Sequence, residues 1–523
     1  MIVEDQIEVI EFLSRPESYR GVSTFADRVE RIDTHASIIF LNSDRAYKLK
    51  RAVKFPYLDF STRNLRRRYC EAEVRINRRT APHIYLGVRC ITRAAGGSLQ
   101  LDGDGEPLDW VVEMVRFDEE TLFDRLAQKG VLDRFAMEDL ADTIARFHSD
   151  AERYPDSGGR SLVAKVIESN TRSFTEAGSH IFNVEKVKNL EEMSWRALAK
   201  VEGLLEVRRR GGYVRHCHGD LHLRNIFLYK GQATLFDAIE FRADMAQIDV
   251  LYDIAFLVMD LDHRNLRPLA SIVLNRYLDN TADAGGLGAF PLFLSLRAAI
   301  RSHITAIAAG CQEEPGKADS LEHEARSYLD RAIHYLIPTP PRLIAIGGLS
   351  GSGKSQLARR LAPYVGAPPG ARVVRTDSTR KRIAGIALGS RLGSRGYSGE
   401  MNTRTYHAVF EECRRVLAAG QSVIADAVFA DPEERRAIER VAAEAGVPFH
   451  GLWLETSPEV MQERVTRRTR NVSDANAWVV RLQLQYDSGE LTWTRVDTGG
   501  SRDETMAVGL RILESGLENR GLR

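Results

Sequence analysis

Two short segments of this chain combine residue types and spacings that suit the phosphates of a nucleoside triphosphate. Residues 348–355 read GLSGSGKS, which fits the pattern G-x-x-x-x-G-K-S/T. In this pattern the glycines let backbone N–H groups face the phosphates, the lysine reaches the β- and γ-phosphates, and the serine binds magnesium. Residues 218–225 read HGDLHLRN, which fits H-x-D-x-x-x-x-N. There the aspartate orients an acceptor hydroxyl and the asparagine holds a metal ion, so the sequence predicts two separate phosphoryl-transfer sites.

The segments on either side of GLSGSGKS read as a strand and a helix. LIAIG (343–347) is a short apolar run, and SQLARRLAPYV (355–365) has helical spacing. A helix that begins at Lys354 would add its positive N-terminal end to the phosphate site. The predicted nucleotide-binding residues are Gly348, Leu349, Ser350, Gly351, Ser352, Gly353, Lys354 and Ser355.

Two aspartates follow apolar runs further along the chain. VVRTDSTRKRI (373–383) reads as a strand that ends in Asp377, and SVIADAVF (422–429) reads as a strand that delivers Asp426. Asp426 is a candidate magnesium ligand, either directly or through a water molecule. The competing interpretation of both residues is an ordinary polar cap at the end of a strand.

Two arginines near the C-terminus have helical spacing. Arg464 and Arg468 lie four residues apart and therefore on one face of a predicted helix. There they could close over the transferring phosphate as a lid. The competing interpretation is a solvated basic face.

The first part of the chain changes from strands to helices. ASIIFLN (36–42) and RAYKLKRAV (45–53) are separated by Ser43-Asp44, which predicts a hairpin. LDWVVEMVRF (108–117) is a further strand candidate, and from about residue 119 the pattern is mostly helical. We therefore expect a small β-rich lobe followed by a helical lobe.

A second potential metal ligand follows HGDLHLRN. The stretch ATLFDAIEF (233–241) delivers Asp237 at the end of a predicted strand. Together these motifs resemble the aminoglycoside phosphotransferase and choline kinase branch of the kinase-like fold, over roughly residues 30–310. The resemblance implies ATP-dependent transfer to a small-molecule hydroxyl, with Asp220 as the base and with Asn225 and Asp237 as metal ligands. The sequence departs from the protein-kinase pattern because no DFG motif is present.

The resemblance also implies a lysine on the third strand that holds the α- and β-phosphates. Lys48 and Lys50 point to one face of that strand. Lys48 is favoured because Ala46-Tyr47-Lys48 best matches the V-A-I-K register. Its helical partner is expected to be Glu73 or Glu71. The competing interpretation of Lys48 is an exposed strand lysine.

The C-terminal part resembles a different kinase group. Residues 342–510 resemble the P-loop kinases that include gluconate kinase, polynucleotide kinase and zeta toxin. The resemblance implies ATP and Mg²⁺ as cofactors, Lys354 and Asp377 as catalytic groups and Asp426 in the Walker B role. The order of the two halves resembles that of bacterial bifunctional aminoglycoside phosphotransferase/ATP-binding proteins.

A proline-rich segment marks the predicted domain boundary. Pro338-Thr-Pro340-Pro341 disfavours helix on both sides. We predict a kinase-like α+β domain at 1–337, with a small β lobe and a helical lobe, and a linker at 338–341. An α/β P-loop NTPase domain with a parallel sheet is predicted at 342–523.

Composition limits the possible partners and compartment. The 73 basic and 72 acidic residues give a net charge of +1, which provides no overall reason to expect nucleic acid as a partner. The five cysteines are scattered and odd in number, which favours a reducing compartment. The N-terminus lacks a signal-peptide pattern and no stretch of eighteen apolar residues occurs, so we expect a cytoplasmic protein without a membrane partner.

Three functions are compatible with these motifs. The first is a bifunctional kinase that acts on hydroxyls of small molecules. The second is a single active P-loop kinase whose N-terminal domain binds substrate or regulates. The third is a nucleic-acid end kinase or toxin-like module, which the near-zero net charge disfavours and the local basic clusters RTDSTRKR and RRTR keep open. Nothing in the sequence names the acceptor or the oligomeric state.

Overall fold

The computed structural model divides the chain into two compact units. The first is Met1–Leu162 with Glu206–Leu257, and the second is Val163–Leu205 with Val258–Arg523. HGDLHLRN lies in the first unit and GLSGSGKS in the second. The residues that the structure describes are 5–20, 28–34, 36–55, 58–178, 180–312, 314–467 and 477–518.

The helices and strands alternate along the chain as follows. Up to residue 150 they are α1 (Ile7–Leu13), β1 (Glu30–Asp33), β2 (Ser37–Asn42), β3 (Arg45–Lys50), β4 (Lys54–Phe55), β5 (Leu58–Asp59), α2 (Arg63–Asn77), β6 (Tyr85–Arg93), β7 (Leu99–Leu101), β8 (Glu106–Val115), α3 (Phe123–Gln128) and α4 (Arg134–Asp150). From there to residue 335 they are α5 (Gly159–Ala177), α6 (Val184–Arg210), β9 (Val214–His216), β10 (Ile226–Tyr229), β11 (Gln232–Leu235), α7 (Ala243–Ala246), β12 (Gln247–Asp249), α8 (Val250–His263), α9 (Arg267–Thr281), α10 (Phe290–Gly310) and α11 (Pro315–Tyr335). The remainder are β13 (Leu343–Gly347), α12 (Lys354–Leu361), β14 (Arg372–Arg375), α13 (Thr376–Ile383), α14 (Gly399–Ala418), β15 (Val423–Asp426), α15 (Pro432–Glu444), β16 (Phe449–Glu455), α16 (Pro458–Thr466), α17 (Ala477–Gln483), β17 (Thr494–Asp497) and α18 (Arg502–Glu518).

The first unit is built on an antiparallel sheet with the strand order β1-β2-β3-β8-β6-β7. The predicted hairpin is present, because β2 and β3 pair across a turn in which Ser43 has a φ of 45°. Successive residues of β3 face opposite sides of the sheet. Tyr47 packs in the cluster that contains α1, whereas Ala46 packs in the cluster that contains α2. Lys48 and Lys50 share the side of Ala46 and therefore face α2.

Helix α2 carries the acidic partner of these lysines. Its N-terminus is capped by Thr62, whose hydroxyl accepts a hydrogen bond from Leu65 N at 3.3 Å. The buried face of the helix includes Cys70, Glu73 and Val74. This spacing is that of an amphipathic helix, and it brings one carboxylate into the apolar face that packs on the sheet.

Helix α10 is the most apolar helix of the second unit. Among the described residues, Ala284–Gly310 is the one helical segment long and apolar enough to cross a membrane, and 72% of its apolar window is buried inside the protein. Burial of this kind is what a core helix requires. Its neighbour is α11, which ends at Tyr335, before the proline-rich segment at 338–341.

The C-terminal part of the second unit contains the predicted parallel sheet. Its five strands have the order β14-β15-β13-β16-β17, and every neighbouring pair is parallel. The core between this sheet, α12 and α18 is formed by aliphatic side chains such as Ile346, Leu357 and Met506. Together with the antiparallel sheet of the first unit, it confirms the predicted order of an α+β kinase-like region followed by an α/β P-loop domain.

Helix α9 covers the edge strand β14 within the second unit. The side chain of Asn275 accepts from Val373 N at 2.7 Å and donates to Ala371 O at 3.2 Å, as a neighbouring strand would. Asp279 accepts from Arg372 Nη2 at 2.6 Å and from Ser378 Oγ at 2.9 Å. An uncovered strand edge exposes unpaired backbone groups, and α9 satisfies them here.

These contacts join the P-loop sheet to a helix that lies earlier in the chain. Arg372 is 3% exposed and also pairs with Glu412, at 2.8 Å. Helix α9 precedes the proline-rich segment at 338–341, so the compact unit and the predicted domain boundary do not coincide. Independent folding of residues 342–523 stays a prediction.

We predict that Arg372→Ala destabilises the second unit. The substitution leaves the carboxylates of Asp279 and Glu412 buried with their shared cation removed, which should lower the free energy of unfolding by about 3–5 kcal/mol. The matched control is Arg382→Ala, because Arg382 also pairs with Glu412 but is 23% exposed. Its loss should cost no more than about 1 kcal/mol. Urea denaturation of the full-length variants measures both, and equal effects would contradict the buried role of Arg372.

Candidate functional site

The predicted lysine and glutamate of the first unit meet in a buried cluster of charges. Lys48 Nζ lies 2.9 Å from Glu73 Oε1 and 2.5 Å from Asp237 Oδ1. Lys50 Nζ lies 2.6 Å from Glu73 Oε2 and also contacts Glu240. The two carboxylate oxygens of Glu73 therefore accept hydrogen bonds from two lysines that stand two residues apart on β3.

Burial and charge act in opposite directions within this cluster. Burial alone would raise the pKa of Glu73, but the ammonium groups of Lys48 and Lys50 lower it overall. Burial alone would lower the pKa of Lys48, but the carboxylates of Asp237 and Glu73 raise it well above its usual value. Burial raises the pKa of Glu240, an effect that Lys50 only partly offsets. Lys48 is thus held as a cation between the carboxylates of Glu73 and Asp237.

Asp237 follows β11 in a left-handed backbone conformation with a φ of 59°. Residues other than glycine adopt this conformation rarely, so surrounding contacts must hold it. Asp237 N donates to Tyr85 Oη at 3.1 Å, and the next backbone N–H, of Ala238, donates to Asn77 Oδ1 at 2.8 Å. Strand β6 and helix α2 therefore fix the backbone that brings this carboxylate to Lys48.

The HGDLHLRN loop is anchored from α8. The carboxylate of Asp253 accepts from His218 N at 3.0 Å and from Gly219 N at 2.9 Å, and it lies 3.0 Å from His148 Nε2. Burial lowers the pKa of His218, whose Nε2 lies 2.9 Å from Phe236 O. His218 is therefore a neutral packing residue of this loop.

Asp220 and Asn225 are joined within the same loop. Asn225 Nδ2 donates to Asp220 O at 2.9 Å and to Asp220 Oδ2 at 3.0 Å, and His222 Nε2 lies 3.3 Å from that carboxylate oxygen. The carbonyl oxygen of the Asn225 amide is the atom suited to a cation. The side chains of Asp220 and Asp237 are 39% and 41% exposed, whereas Glu73 is fully buried. The two aspartates are therefore the acidic groups that ligands can reach.

Three residues of this site were not identified from the sequence. Glu240 stands three residues after Asp237, so its position in ATLFDAIEF was an available signal. Asn77 and Tyr85 gave no signal, because Tyr85 contacts Asp237 across 152 residues of sequence. Only the packing of α2 and β6 brings them to this backbone.

The GLSGSGKS segment forms the predicted loop between β13 and α12, and we call residues 348–355 the phosphate loop. Gly348, Gly351 and Gly353 have φ values of 132°, 92° and 99°, which strain any residue with a side chain. A Cβ atom at Gly348 would lie 2.5 Å from Leu454 O, and one at Gly351 would lie 2.5 Å from Met461 O. Glycine is therefore required at both positions for conformation and for space.

Lys354 and Ser355 are the first two residues of α12. Lys354 Nζ donates to Leu349 O at 2.9 Å, across the phosphate loop. Gly348 N donates to Val428 O at 3.0 Å, which ties the start of the loop to the residues that follow β15. The helix N-terminus, the lysine and the serine hydroxyl thus converge where phosphates and magnesium are bound in loops of this type.

The remaining acidic candidates lie at the strand ends beside this loop. Strands β14, β15 and β13 are parallel neighbours, so their carboxyl ends share one edge of the sheet. Asp426 is the last residue of β15, and its Oδ2 lies 3.2 Å from Arg375 Nε. The prediction that a strand ends in Asp377 is wrong by two residues. Strand β14 ends at Arg375, and Asp377 lies in the first turn of α13. A negative charge at that end of a helix interacts favourably with the helix dipole.

Of the two arginines predicted to act as a lid, Arg464 adjoins the phosphate loop. Arg464 Nη2 donates to Thr498 O at 2.7 Å, and Thr498 Oγ1 donates to Ser352 O at 2.8 Å. Arg464 Nη1 would lie 3.9 Å from a Cβ atom built at Gly353. Arg468 lies outside the described residues.

Comparison with known proteins gives one match to the C-terminal part and others to most of the chain. Residues 343–486 match the family model of the AAA domain. The whole chain is similar to uncharacterized proteins of Mycobacterium tuberculosis (strain ATCC 25618 / H37Rv) and Mycobacterium bovis (strain ATCC BAA-935 / AF2122/97). With each it is 28% identical over 496 residues, which cover 93% of this chain and 95% of the relative.

Solved structures align with each part at low identity. A sugar kinase from Janibacter sp. HTCC2649 is 20% identical, covers 34% of this chain and 95% of its own, and gives a TM-score of 0.26. A choline/ethanolamine kinase family protein from Mesorhizobium loti is 10% identical, covers 63% of this chain and 99% of its own, and gives 0.37. An ethanolamine kinase from Plasmodium vivax is 11% identical, covers 60% and 84%, and gives 0.38.

We predict that Glu73→Gln destabilises the first unit strongly. The substitution removes the carboxylate that Lys48 and Lys50 share, and leaves Lys48 with Asp237 and Lys50 with Glu240. Removal of one partner from a buried ion pair costs about 3–5 kcal/mol. The matched control is Glu71→Gln on the same helix, because Glu71 pairs with Arg67 and both side chains are more than half exposed. This exposed pair contributes roughly 0–1 kcal/mol. Thermal and urea unfolding measure both, and similar losses in the two variants would contradict the central place of Glu73.

The two sequence motifs thus lie in two separate folded sites, one formed by a lysine–glutamate pair and an anchored HGD loop, the other by a glycine-rich loop at a parallel sheet. The chain joins an N-terminal α+β unit that carries the HGD loop to a C-terminal P-loop domain, in which residues 343–486 match the family model of the AAA domain.

Proposed function

We propose that this protein is an ATP-dependent phosphotransferase with two active sites, each of which transfers the γ-phosphate to a hydroxyl of a small molecule. The observation that carries the proposal is the cluster of Lys48, Glu73 and Asp237 beside the anchored loop of Asp220 and Asn225. Phosphoryl transfer requires a cation for the phosphates, oxygen ligands for magnesium and a group that orients the acceptor. All three are present within the first unit.

The oxygen donors of the first site suit magnesium. Asp237 supplies a partly exposed carboxylate and Asn225 an amide oxygen, which are hard ligands of the kind that Mg²⁺ prefers. When bound, the metal ion neutralises charge on the phosphates. Lys48 holds the α- and β-phosphates, and Asp220 accepts a hydrogen bond from the acceptor hydroxyl and orients it. Glu73 keeps Lys48 extended from β3 and touches no substrate.

The second site has its own set of groups. Lys354 reaches the β- and γ-phosphates and Ser355 holds magnesium, together with Asp426 either directly or through water. Asp377 binds the acceptor from the first turn of α13. Arg464 adjoins the phosphate loop and is placed to bind the transferring phosphate, and we propose the same role for Arg468.

The burial of three basic residues in one of the two local clusters favours a small acceptor over a nucleic acid. In RTDSTRKR, the side chains of Arg375, Arg380 and Lys381 are 7%, 7% and 1% exposed. Buried cations cannot form the basic surface that neutralises a chain of phosphates. The five cysteines are all free, which fits the proposal of a reducing, cytoplasmic location. We propose no membrane partner.

We predict that Asp220→Asn and Asp237→Asn fail in different ways. Asp220→Asn should keep the affinity for Mg–ATP and lose roughly 10²–10⁴-fold in turnover, because it removes the oxygen that orients the hydroxyl. Asp237→Asn should also weaken magnesium-dependent ATP binding, because one anionic metal ligand is lost. A screen of metabolite pools with γ-labelled ATP supplies the acceptor, and magnesium titrations separate the variants. Wild-type magnesium dependence in both would show that Asp237 is misassigned.

We predict that the full-length chain binds two equivalents of nucleotide and that Lys354→Ala binds one of them much more weakly. The lysine is a phosphate ligand at the start of α12, so its loss should weaken the second site and leave the fold intact. Isothermal titration calorimetry with Mg–ATP measures the number of sites and the affinity of each. A single equivalent in the wild type that disappears in Lys354→Ala would instead support a lone P-loop kinase with a regulatory N-terminal domain.

A further inference from the structure

One peptide group of the phosphate loop is hydrogen-bonded at both ends. The carbonyl of Leu349 accepts from Lys354 Nζ at 2.9 Å, and the N–H of Ser350, which belongs to the same peptide group, donates to Gln483 Oε1 at 2.8 Å. Gln483 is the last residue of α17 and stands 133 residues further along the chain. We propose that Gln483 is a positioning residue of the second site, which orients this peptide group and thereby holds Lys354.

The planarity of the peptide group links the two hydrogen bonds. In a trans peptide the C=O and N–H point in opposite directions and turn as one rigid unit. When Gln483 accepts from Ser350 N, the carbonyl of Leu349 is therefore turned towards Lys354. Rotation of the peptide would remove the acceptor from the lysine ammonium as well.

The loop backbone needs such an anchor because glycines flank this peptide. Gly348 precedes it and Gly351 follows Ser350, and both have positive φ values. Glycine rotates more freely than any other residue, and within the loop the carbonyl of Leu349 is held by Ser352 N, which donates to it at 3.1 Å. Gln483 holds the N–H at the opposite end of the same peptide.

Two helices, α16 and α17, hold the side chain of Leu349, which adjoins that peptide. Leu349 packs against Met461 and Val465 of α16 and against Val480 of α17. Val480 lies three residues before Gln483, on the same side of α17. Gln483 is itself 9% exposed, so its amide oxygen is withdrawn from water and directed at the loop. Helices α16 and α17 thus fix both the backbone and the side chain at residue 349.

Lys354 reaches the β- and γ-phosphates, so a misoriented lysine weakens nucleotide binding. This inference rests on the proposed nucleotide binding by the phosphate loop and extends it to a residue that lies outside that loop. Gln483 touches no substrate. It acts through Leu349 and Lys354.

A double-mutant cycle on the full-length chain tests the proposal. The variants are Gln483→Leu and Gln483→Glu, each alone and combined with Lys354→Ala, and the affinity for Mg–ATP is measured by calorimetry. Gln483→Leu removes the acceptor of one hydrogen bond and should weaken binding at the Lys354-dependent site roughly two- to tenfold. Gln483→Glu keeps an oxygen acceptor and should retain near wild-type affinity. In the Lys354→Ala background, Gln483→Leu should cause no further loss.

Two controls separate positioning from general damage. Gln485→Leu changes an exposed glutamine two residues away and should bind as the wild type does. The thermal unfolding midpoint reports whether Gln483→Leu remains folded. If Gln483→Leu does not fold, Gln483→Glu carries the test. An affinity loss in Gln483→Glu as large as that of Lys354→Ala would then contradict the proposal.

Three results would overturn the proposal. They are an unchanged affinity in folded Gln483→Leu, an equal loss in Gln483→Leu and folded Gln483→Glu, or an undiminished effect of Gln483→Leu in the Lys354→Ala background. A wild-type chain with no Lys354-dependent binding would overturn the proposed nucleotide site itself, which is a different result from any of these.

Discussion

A fully buried carboxylate between two ammonium groups is the constraint on which the kinase-like site depends. Glu73 has no access to water, so its charge is tolerable only where Lys48 and Lys50 both reach it. That requirement fixes the register of α2 against β3. It also leaves one side of Lys48 for Asp237, and the same packing brings Asn77 and Tyr85 to the strained backbone around that aspartate. The same packing of α2 and β6 therefore compensates the buried charges and fixes the backbone of Asp237.

The phosphate loop depends on a different constraint, which is space. Its glycines allow the backbone to approach the carbonyls of Leu454 and Met461 more closely than any side chain would permit. Close approach brings the loop onto α16 and α17. Gln483 accepts directly from the loop, whereas Arg464 donates to Thr498 O, and the Thr498 hydroxyl donates to Ser352 O. The two sites thus position a lysine differently, Lys48 through a shared carboxylate and Lys354 through a peptide carbonyl.

Helix α9 covers one edge of the C-terminal sheet, although the helix precedes the proline-rich segment in the chain. Asn275 and Asp279 lie before the proline-rich segment, yet they complete the edge of β14 and hold Ser378 beside Asp377. At this contact the buried guanidinium of Arg372 pairs with the carboxylates of Asp279 and Glu412, and Arg382 also pairs with Glu412. The start of α13, which carries Asp377, is consequently supported by a helix that the motifs alone would assign to the N-terminal domain.

The two motifs were visible in the local sequence pattern, and so were the hairpin before Lys48 and the strand, loop and helix around Lys354. The order of the fold classes followed from them. Each of these features rests on short-range spacing and backbone preference. The local pattern left Glu73 and Glu71 as alternatives and ended β14 two residues late. Only tertiary structure decided that Glu73 is the buried partner, that Asn77 and Tyr85 hold Asp237, and that Gln483 reaches Ser350. These contacts join residues up to 161 positions apart, and their strength comes from burial, which exists only once the elements have packed.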